Sequence, residues 1–160
     1  MKYLNARRQA LALGLVSLLS LSACGGGGSD SGTPVQPWSQ TSGSTAVTTL
    51  STTDTVAGTG ATAAAGNTVN VKYTGWLYDV RVATTQKGTQ FDTGTFSFKL
   101  GTTPLQVIPG FDQGVTGMKV GGKRTVVIPA SLGYGAAGTS DGKIPANAAL
   151  IFDIELVSVQ

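Results

Sequence analysis

Side chains able to do covalent or acid–base chemistry are few in this sequence, and two gaps among them are informative. In 160 residues there is no histidine, and cysteine occurs once, at Cys24. Without histidine there is no Ser-His-Asp or Cys-His relay and no common His-containing zinc site. One cysteine makes neither an internal disulfide nor a thiolate cluster. Hydrolytic and zinc chemistry are therefore excluded, and no metal or cofactor is expected. Asp92 stands out because it follows Phe91 directly, and a carboxylate among apolar neighbours is costly unless it is paired. Taken alone, it reads as a turn residue.

Cys24 sits at the end of a recognisable signal. Lys2, Arg7 and Arg8 precede an apolar run from Ala10 to Leu21, broken only by Gly14, Ser17 and Ser20. A positive start, about a dozen apolar residues and a small-residue exit make a secretory signal peptide over 1–23, too short to span a bilayer. The exit, Leu21-Ser22-Ala23-Cys24, resembles the lipobox of bacterial lipoproteins. That resemblance implies cleavage before Cys24, acylation of its sulfur and amine, and anchoring to a bilayer. With Gly25 after it, the outer membrane, facing the periplasm or the cell surface, is the expected address. The net charge of +3 follows from the same segment. Removing Lys2, Arg7 and Arg8 leaves eight basic against eight acidic residues. A formally neutral mature chain gives no support to a nucleic-acid partner.

Residues 24–44 are, after Cys24, mostly Gly, Ser, Thr, Pro and Gln, with Trp38 as the one large side chain. They read as a flexible linker with Trp38 solvated, a membrane-interface or domain contact being the alternative for that side chain. The domain is placed at 45–160. There Val69, Val71 and Tyr73 alternate with Asn70 and Lys72, and Phe96, Phe98 and Leu100 share a face. Val126 and Ile128 do likewise, and Leu150, Phe152, Ile154 and Leu156 oppose Ile151, Asp153 and Glu155. Val47–Leu50 is a weaker strand candidate. One segment has helical spacing: Phe111, Val115 and Met118, with Pro109 in the first turn and Gly121-Gly122 as the stop. The pattern predicts an α+β domain, an antiparallel sheet of about five strands with one face covered by a short helix. An all-β sandwich is the alternative.

Eight segments carry a resemblance. They are V-K-Y-T-G-W-L (71–77), Q-F-D (90–92), F-S-F-K-L-G (96–101), V-I-P-G-F (107–111), G-M-K-V-G-G-K-R (117–124), L-G-Y-G (132–135), I-P (144–145) and L-I-F-D-I-E-L (150–156). In this order they resemble the FKBP-type peptidyl-prolyl cis-trans isomerases. The resemblance implies a twisted sheet curled around one short helix, with a ligand pocket between them. It implies that Tyr73, Asp92, Ile108 and Tyr134 carry the reaction, the Ile108 N–H and the Tyr134 hydroxyl donating to ligand carbonyls. It places Phe91, Phe96, Val107, Phe111, Ile144 and Phe152 around the substrate, with Phe111 where many members have Trp. Proline-containing polypeptides and macrolides such as rapamycin are the implied ligands, and a monomer the implied state. No proton need move when an X–Pro bond rotates, so the missing histidine is no handicap.

Three departures from the family pattern bear on the site. The stretch 78–90 is long, and reads as a longer loop or an extended hairpin able to touch substrate or a partner. Nothing basic follows Asp92, so Arg81 or Lys87 is the candidate partner for its carboxylate. The loop Gly138–Ile144 lacks the aromatic or His side chain found there in several members. A non-catalytic binding module of the same fold, holding chains or docking a partner, is the competing expectation.

Overall fold

The fold is described from a computed structural model over residues 38–160; Cys24 and the signal peptide lie outside the described residues. Five antiparallel strands form one sheet: β1 (Ser51–Val56), β2 (Thr68–Tyr78), β3 (Lys87–Lys99), β4 (Lys123–Ile128) and β5 (Leu150–Val159), in the order β1-β4-β5-β2-β3. The alternating apolar residues supply its inner face. Val69, Val71, Val126, Ile128, Leu150, Phe152, Ile154 and Leu156 are all 5% exposed or less. They meet across strands, Val71 opposite Leu156 and Val126 opposite Phe152. Burying each such side chain contributes about 1.5–3 kcal/mol.

Two helices are present among the described residues, α1 (Trp38–Thr41) and α2 (Pro109–Val115). Helix α2 lies against the inner face and brings Phe111 and Val115 into the core, 5% and 0% exposed. It stops before Met118, short of the expected glycine pair, because Thr116 leaves the helix at ψ 132° and Gly117 then turns left-handed at φ 79°. Met118 is still buried, at 2% exposure, from the turn that follows. Glycine inside so short a helix weakens it locally by about 1 kcal/mol relative to alanine. The structure shows the return. A Cβ on Gly110 would stand 2.3 Å from Ile128 Cγ2, and one on Gly114 2.8 Å from Val126 Cγ1. Bare backbone at both positions lets α2 press directly onto β4. Asp112, in the first turn of α2, accepts the Gly101 N–H through Oδ2 at 3.0 Å, tying the turn after β3 to the helix.

Three expectations change. The first strand begins at Ser51, after Leu50, and all six of its residues are exposed; an edge strand with no buried face carries no apolar alternation. Ile151, expected outward beside Asp153, is 1% exposed. It lies opposite Trp76 and Val127 on its two neighbouring strands, which make the outer face apolar at this end of the sheet. The third change concerns residues 38–44, read as linker. Here α1 is followed by a 3₁₀ turn (Ser44–Ala46), with Ser39, Ser42 and Ser44 buried and Trp38 packed against the core.

The long 78–90 stretch explains that folding. Strands β2 and β3 pair from Thr68–Lys99 out to Tyr78–Lys87, so Tyr78 and residues 87–90 extend a hairpin that residues 79–86 close. The Val80 N–H donates to the Ser42 carbonyl at 2.9 Å, and Arg81 lies 5.3 Å over the Trp38 ring while pairing with Asp79 at 2.6 Å. The hairpin turn thus holds the chain as it enters the domain.

Candidate functional site

Phe111, delivered by the first turn of α2, is the centre of an aromatic cluster. Its ring meets Phe152 of β5 at 5.1 Å and Tyr73 of β2 at 5.8 Å, both edge-on, and Phe98 of β3 at 5.8 Å. Phe152 is met edge-on in turn by Phe91 at 5.5 Å. Edge-to-face pairs each contribute about 0.5–1.5 kcal/mol beyond burial, so the rings form a rigid floor. Gly75 makes the arrangement possible: a Cβ there would sit 2.6 Å from Phe91 Cζ and 2.8 Å from Phe152 Cε1.

Above this floor opens a cleft of about 240 Å³ lined by Tyr73, Asp92, Phe96, Gln106, Val107, Ile108, Phe111, Tyr134 and Phe152. Eight of the ten residues singled out from the sequence meet here. Phe91 and Ile144 line a neighbouring hollow of about 200 Å³, which shares Asp92 and Tyr134 with the cleft and is completed by Thr139, Asp141 and Lys143. A third groove, of about 330 Å³, lies among Lys72, Lys87, Lys123, Arg124, Asp153 and Glu155. Its charges largely answer one another, with Lys87–Asp153 at 2.6 Å and Lys123–Glu155 at 3.3 Å. It has no aromatic floor, and the cleft is the stronger candidate.

The polar groups of the cleft are few and directed. Tyr73 donates its hydroxyl to Asp92 Oδ2 at 2.7 Å, and Asp92 Oδ1 accepts the Thr93 N–H at 2.9 Å. Among the described residues no basic side chain pairs with Asp92. Arg81 is committed to Asp79 and Lys87 to Asp153, with Lys87 also 4.6 Å over Trp76. Asp92 is exposed to water, which together with Tyr73 solvates its charge. Burial, then the bond to Asp92, pushes the Tyr73 phenol up to about 12, so it remains a neutral donor. Burial and the nearby Asp92 and Asp141 carboxylates also raise the Tyr134 phenol. Neither the Tyr134 hydroxyl nor the Ile108 N–H donates to any group among the described residues. Ile108 caps α2 in an extended conformation, at φ −59° and ψ 145°, which leaves its N–H available.

Sequence reasoning missed Gln106. Its side-chain oxygen accepts the Lys99 N–H at 2.7 Å, holding the 101–108 segment beside β3. It precedes Val107 directly, but a polar residue in a loop carries no periodic signal.

The fold and cleft define a binding domain in which one helix and a curved sheet clasp an apolar cavity edged by unpaired donors. Residues 60–157 match the family described as FKBP-type peptidyl-prolyl cis-trans isomerase. The chain is 44% identical over 105 residues to the FK506-binding protein of Neisseria meningitidis serogroup A, covering 64% of this chain and 88% of that protein. It is 46% identical over 113 residues to FK506-binding protein 3 of Candida albicans, covering 68% of this chain and 24% of that protein. It therefore spans only about a quarter of that relative. Among solved structures, a peptidyl-prolyl cis-trans isomerase from Pseudomonas syringae pv. tomato aligns with a TM-score of 0.58 at 33% identity, over 69% of this chain and 75% of that one. FkpA from Escherichia coli aligns with a TM-score of 0.57 at 36% identity, over 69% of this chain and 48% of that one. The chain belongs to the FKBP-type peptidyl-prolyl cis-trans isomerase family.

Proposed function

We propose that the aromatic cleft accelerates rotation about X–Pro bonds in polypeptides folding outside the cytoplasm. The observation that carries this reading is the convergence of Tyr73, Phe96, Phe111 and Phe152 on one cleft whose rim holds two unused donors, Ile108 N–H and Tyr134 hydroxyl. The planar X–Pro amide has charge separation that water stabilises, and the twisted transition state has less. Transfer into an aromatic cavity therefore favours the twisted form, which is selective binding of the transition state. The prolyl ring packs on Phe111 and Phe152 while the two donors hold flanking carbonyls. An acceleration of about 10³–10⁵ needs roughly 4–7 kcal/mol, within the range of desolvation and orientation combined. Asp92 acts electrostatically, fixing the Tyr73 hydroxyl and polarising the bound chain, not as a general base.

Refolding of a protein limited by a proline isomer tests this reading, with the full chain in mild detergent. The slow phase shortens in proportion to added protein, and a macrolide of the rapamycin class abolishes the effect. Binding of the client without a faster slow phase would indicate instead the non-catalytic module.

The address is part of the same proposal: export, then attachment to a bilayer through acylated Cys24, with the folded domain on a tether that ends near Trp38. The lipobox-like Leu21-Ser22-Ala23-Cys24 supports it. Replacing Cys24 by Ala then moves the protein from the membrane to the soluble fraction; unchanged partitioning would refute lipidation.

A further inference from the structure

The sheet ends at β3, and one lip of the cleft is part of that edge. From Asp92 to Lys99 the strand keeps a single register with β2, Gly75 opposite Asp92 through to Thr68 opposite Lys99. In such a ladder alternate residues turn N–H and C=O toward the partner strand, and the residues between turn them away. Three bonds set the phase. The Leu100 N–H donates to the Asn67 carbonyl at 2.9 Å, so the even-numbered residues face β2. The N–H groups of Thr93 and Lys99 point away from β2, to Asp92 Oδ1 at 2.9 Å and Gln106 Oε1 at 2.7 Å. Thr95 and Ser97 lie between these two and therefore also turn N–H and C=O outward. No group among the described residues takes either N–H.

The Asp92 and Gln106 side chains thus close the donors at each end of the edge and leave it open over one stretch, Thr95–Ser97. Phe96 is the middle residue of that stretch, 45% exposed, and at the same time a wall of the cleft. The sheet's other edge differs. Strand β1 is interrupted by a register shift between Asp54 and Val56, and none of its side chains lines the aromatic cleft. An open edge is a template on which a further extended chain can pair. A polypeptide lying in the cleft carries its flanking residues past Phe96, so the chain nearest to this template is the client itself.

We propose that an extended stretch of the client, next to its X–Pro bond, adds to β3 as a sixth, antiparallel strand that hydrogen-bonds Thr95 and Ser97. The inference rests on the isomerase reading for its occupant and adds a second point of attachment to it. The client residue opposite Phe96 falls at a non-hydrogen-bonded pair, where cross-strand side chains come closest, and its side chain lies on the cleft side. An aromatic or β-branched residue fits there best. Backbone pairing is otherwise indifferent to sequence, so one edge serves many clients. Each bond amounts to a factor of about two to ten, and ordering the added residues takes back much of that. A net gain of about fivefold is expected from the whole stretch. Attachment remote from the reacting bond lowers KM and leaves kcat unchanged.

The experiment compares a Leu-Pro tetrapeptide with the same core extended by Thr-Val-Tyr-Thr, before it or after it, on the full chain in mild detergent. One of the two extensions should lower KM about fivefold with kcat unchanged. N-methylation of alternate amides in that extension should abolish the gain in one phase and spare it in the other, since only one phase faces the edge. Thr95→Pro removes an outward N–H and sets a ring on the edge, a place where a strand tolerates proline because the ladder with β2 does not use that N–H. T95P should turn over the tetrapeptide normally and show no gain from the extension. Amide exchange at Thr95 and Ser97, followed by NMR, reads the contact without turnover: both should slow when the extended peptide saturates the native chain. If neither extension lowers KM or slows these amides, or if T95P keeps the gain, the added strand is overturned and the isomerase reading stands. Slowed exchange with no turnover of any peptide retains the strand and overturns the isomerase reading. Amides already slow without peptide, in a dimer that T95P dissolves, would show a second copy on the edge and overturn the client as its occupant.

Discussion

Replacing Tyr73 by phenylalanine removes one hydroxyl and leaves the ring in contact with Phe111 at 5.8 Å and Phe152 at 6.2 Å. What is lost is the bond to Asp92 at 2.7 Å. Hydrogen bonds to charged groups contribute about 1.5–3 kcal/mol, but the exposed Asp92 recovers water, which reduces the cost at neutral pH to about 1 kcal/mol. Alkaline pH reads the burial of the phenol and this bond together. The phenol's pKa rises from 10.0 to about 12 on folding, so the native chain holds that proton more tightly than the unfolded chain. Below pH 10 both states are protonated and the benefit is complete. Above it the unfolded chain ionises first, and stability declines until the native phenol also ionises. For a shift of two units the loss at pH 11 is about 1.4 kcal/mol, and partial solvent access lowers that to about 1 kcal/mol. Urea unfolding at pH 8 and pH 11, on the native sequence and Y73F, reads it directly. The groups common to the two proteins cancel in the comparison. The native sequence should lose about 1 kcal/mol more than Y73F over this interval. Equal losses would refute the raised Tyr73 phenol, and with it the combined effect of its burial and its bond to Asp92.

Gly114→Ala gains about 1 kcal/mol in helix propensity but sets a methyl 2.8 Å from Val126 Cγ1. Overpacking of about 1–3 kcal/mol prevails, and the urea midpoint falls; a higher midpoint would show that α2 does not press on β4. Asp92→Ala leaves Tyr73 without its acceptor and lowers turnover of a proline-containing peptide severalfold. Unchanged turnover would remove Asp92 from the mechanism. Arg81→Ala strips the guanidinium from Trp38 and Asp79, so limited proteolysis between residues 38 and 46 quickens; an unchanged cleavage rate would mean that the hairpin turn does not hold this segment.

Much of the sheet was legible because its strands have one wet and one dry face. Val69 and Val71, or Leu150 through Leu156, announce that arrangement by period alone. Phe111 was legible as a helix-borne core residue, although its meeting with Phe98, Tyr73 and Phe152 depends on pairings between distant strands. Strand β1 was misplaced because every one of its side chains is exposed. Ile151 escaped because its burial depends on Trp76 and Val127 from two other strands. Trp38 is isolated among small polar residues, and its contact with Arg81 reaches across more than forty positions. The Asp92 network was half legible. The resemblance placed Tyr73 and Asp92 in one reacting set, whereas Arg81 and Lys87 pair instead with Asp79 and Asp153.

The central claim is that the aromatic cleft itself lowers the barrier to X–Pro rotation. Exchange spectroscopy by NMR on a Leu-Pro tetrapeptide measures that rotation with no coupled protease. Uncatalysed exchange takes tens to hundreds of seconds. With the full chain in mild detergent, exchange should accelerate by about 10³ or more at saturation and return to the buffer rate when a rapamycin-class macrolide fills the cleft. Exchange that stays at the buffer rate while the macrolide binds would contradict the account.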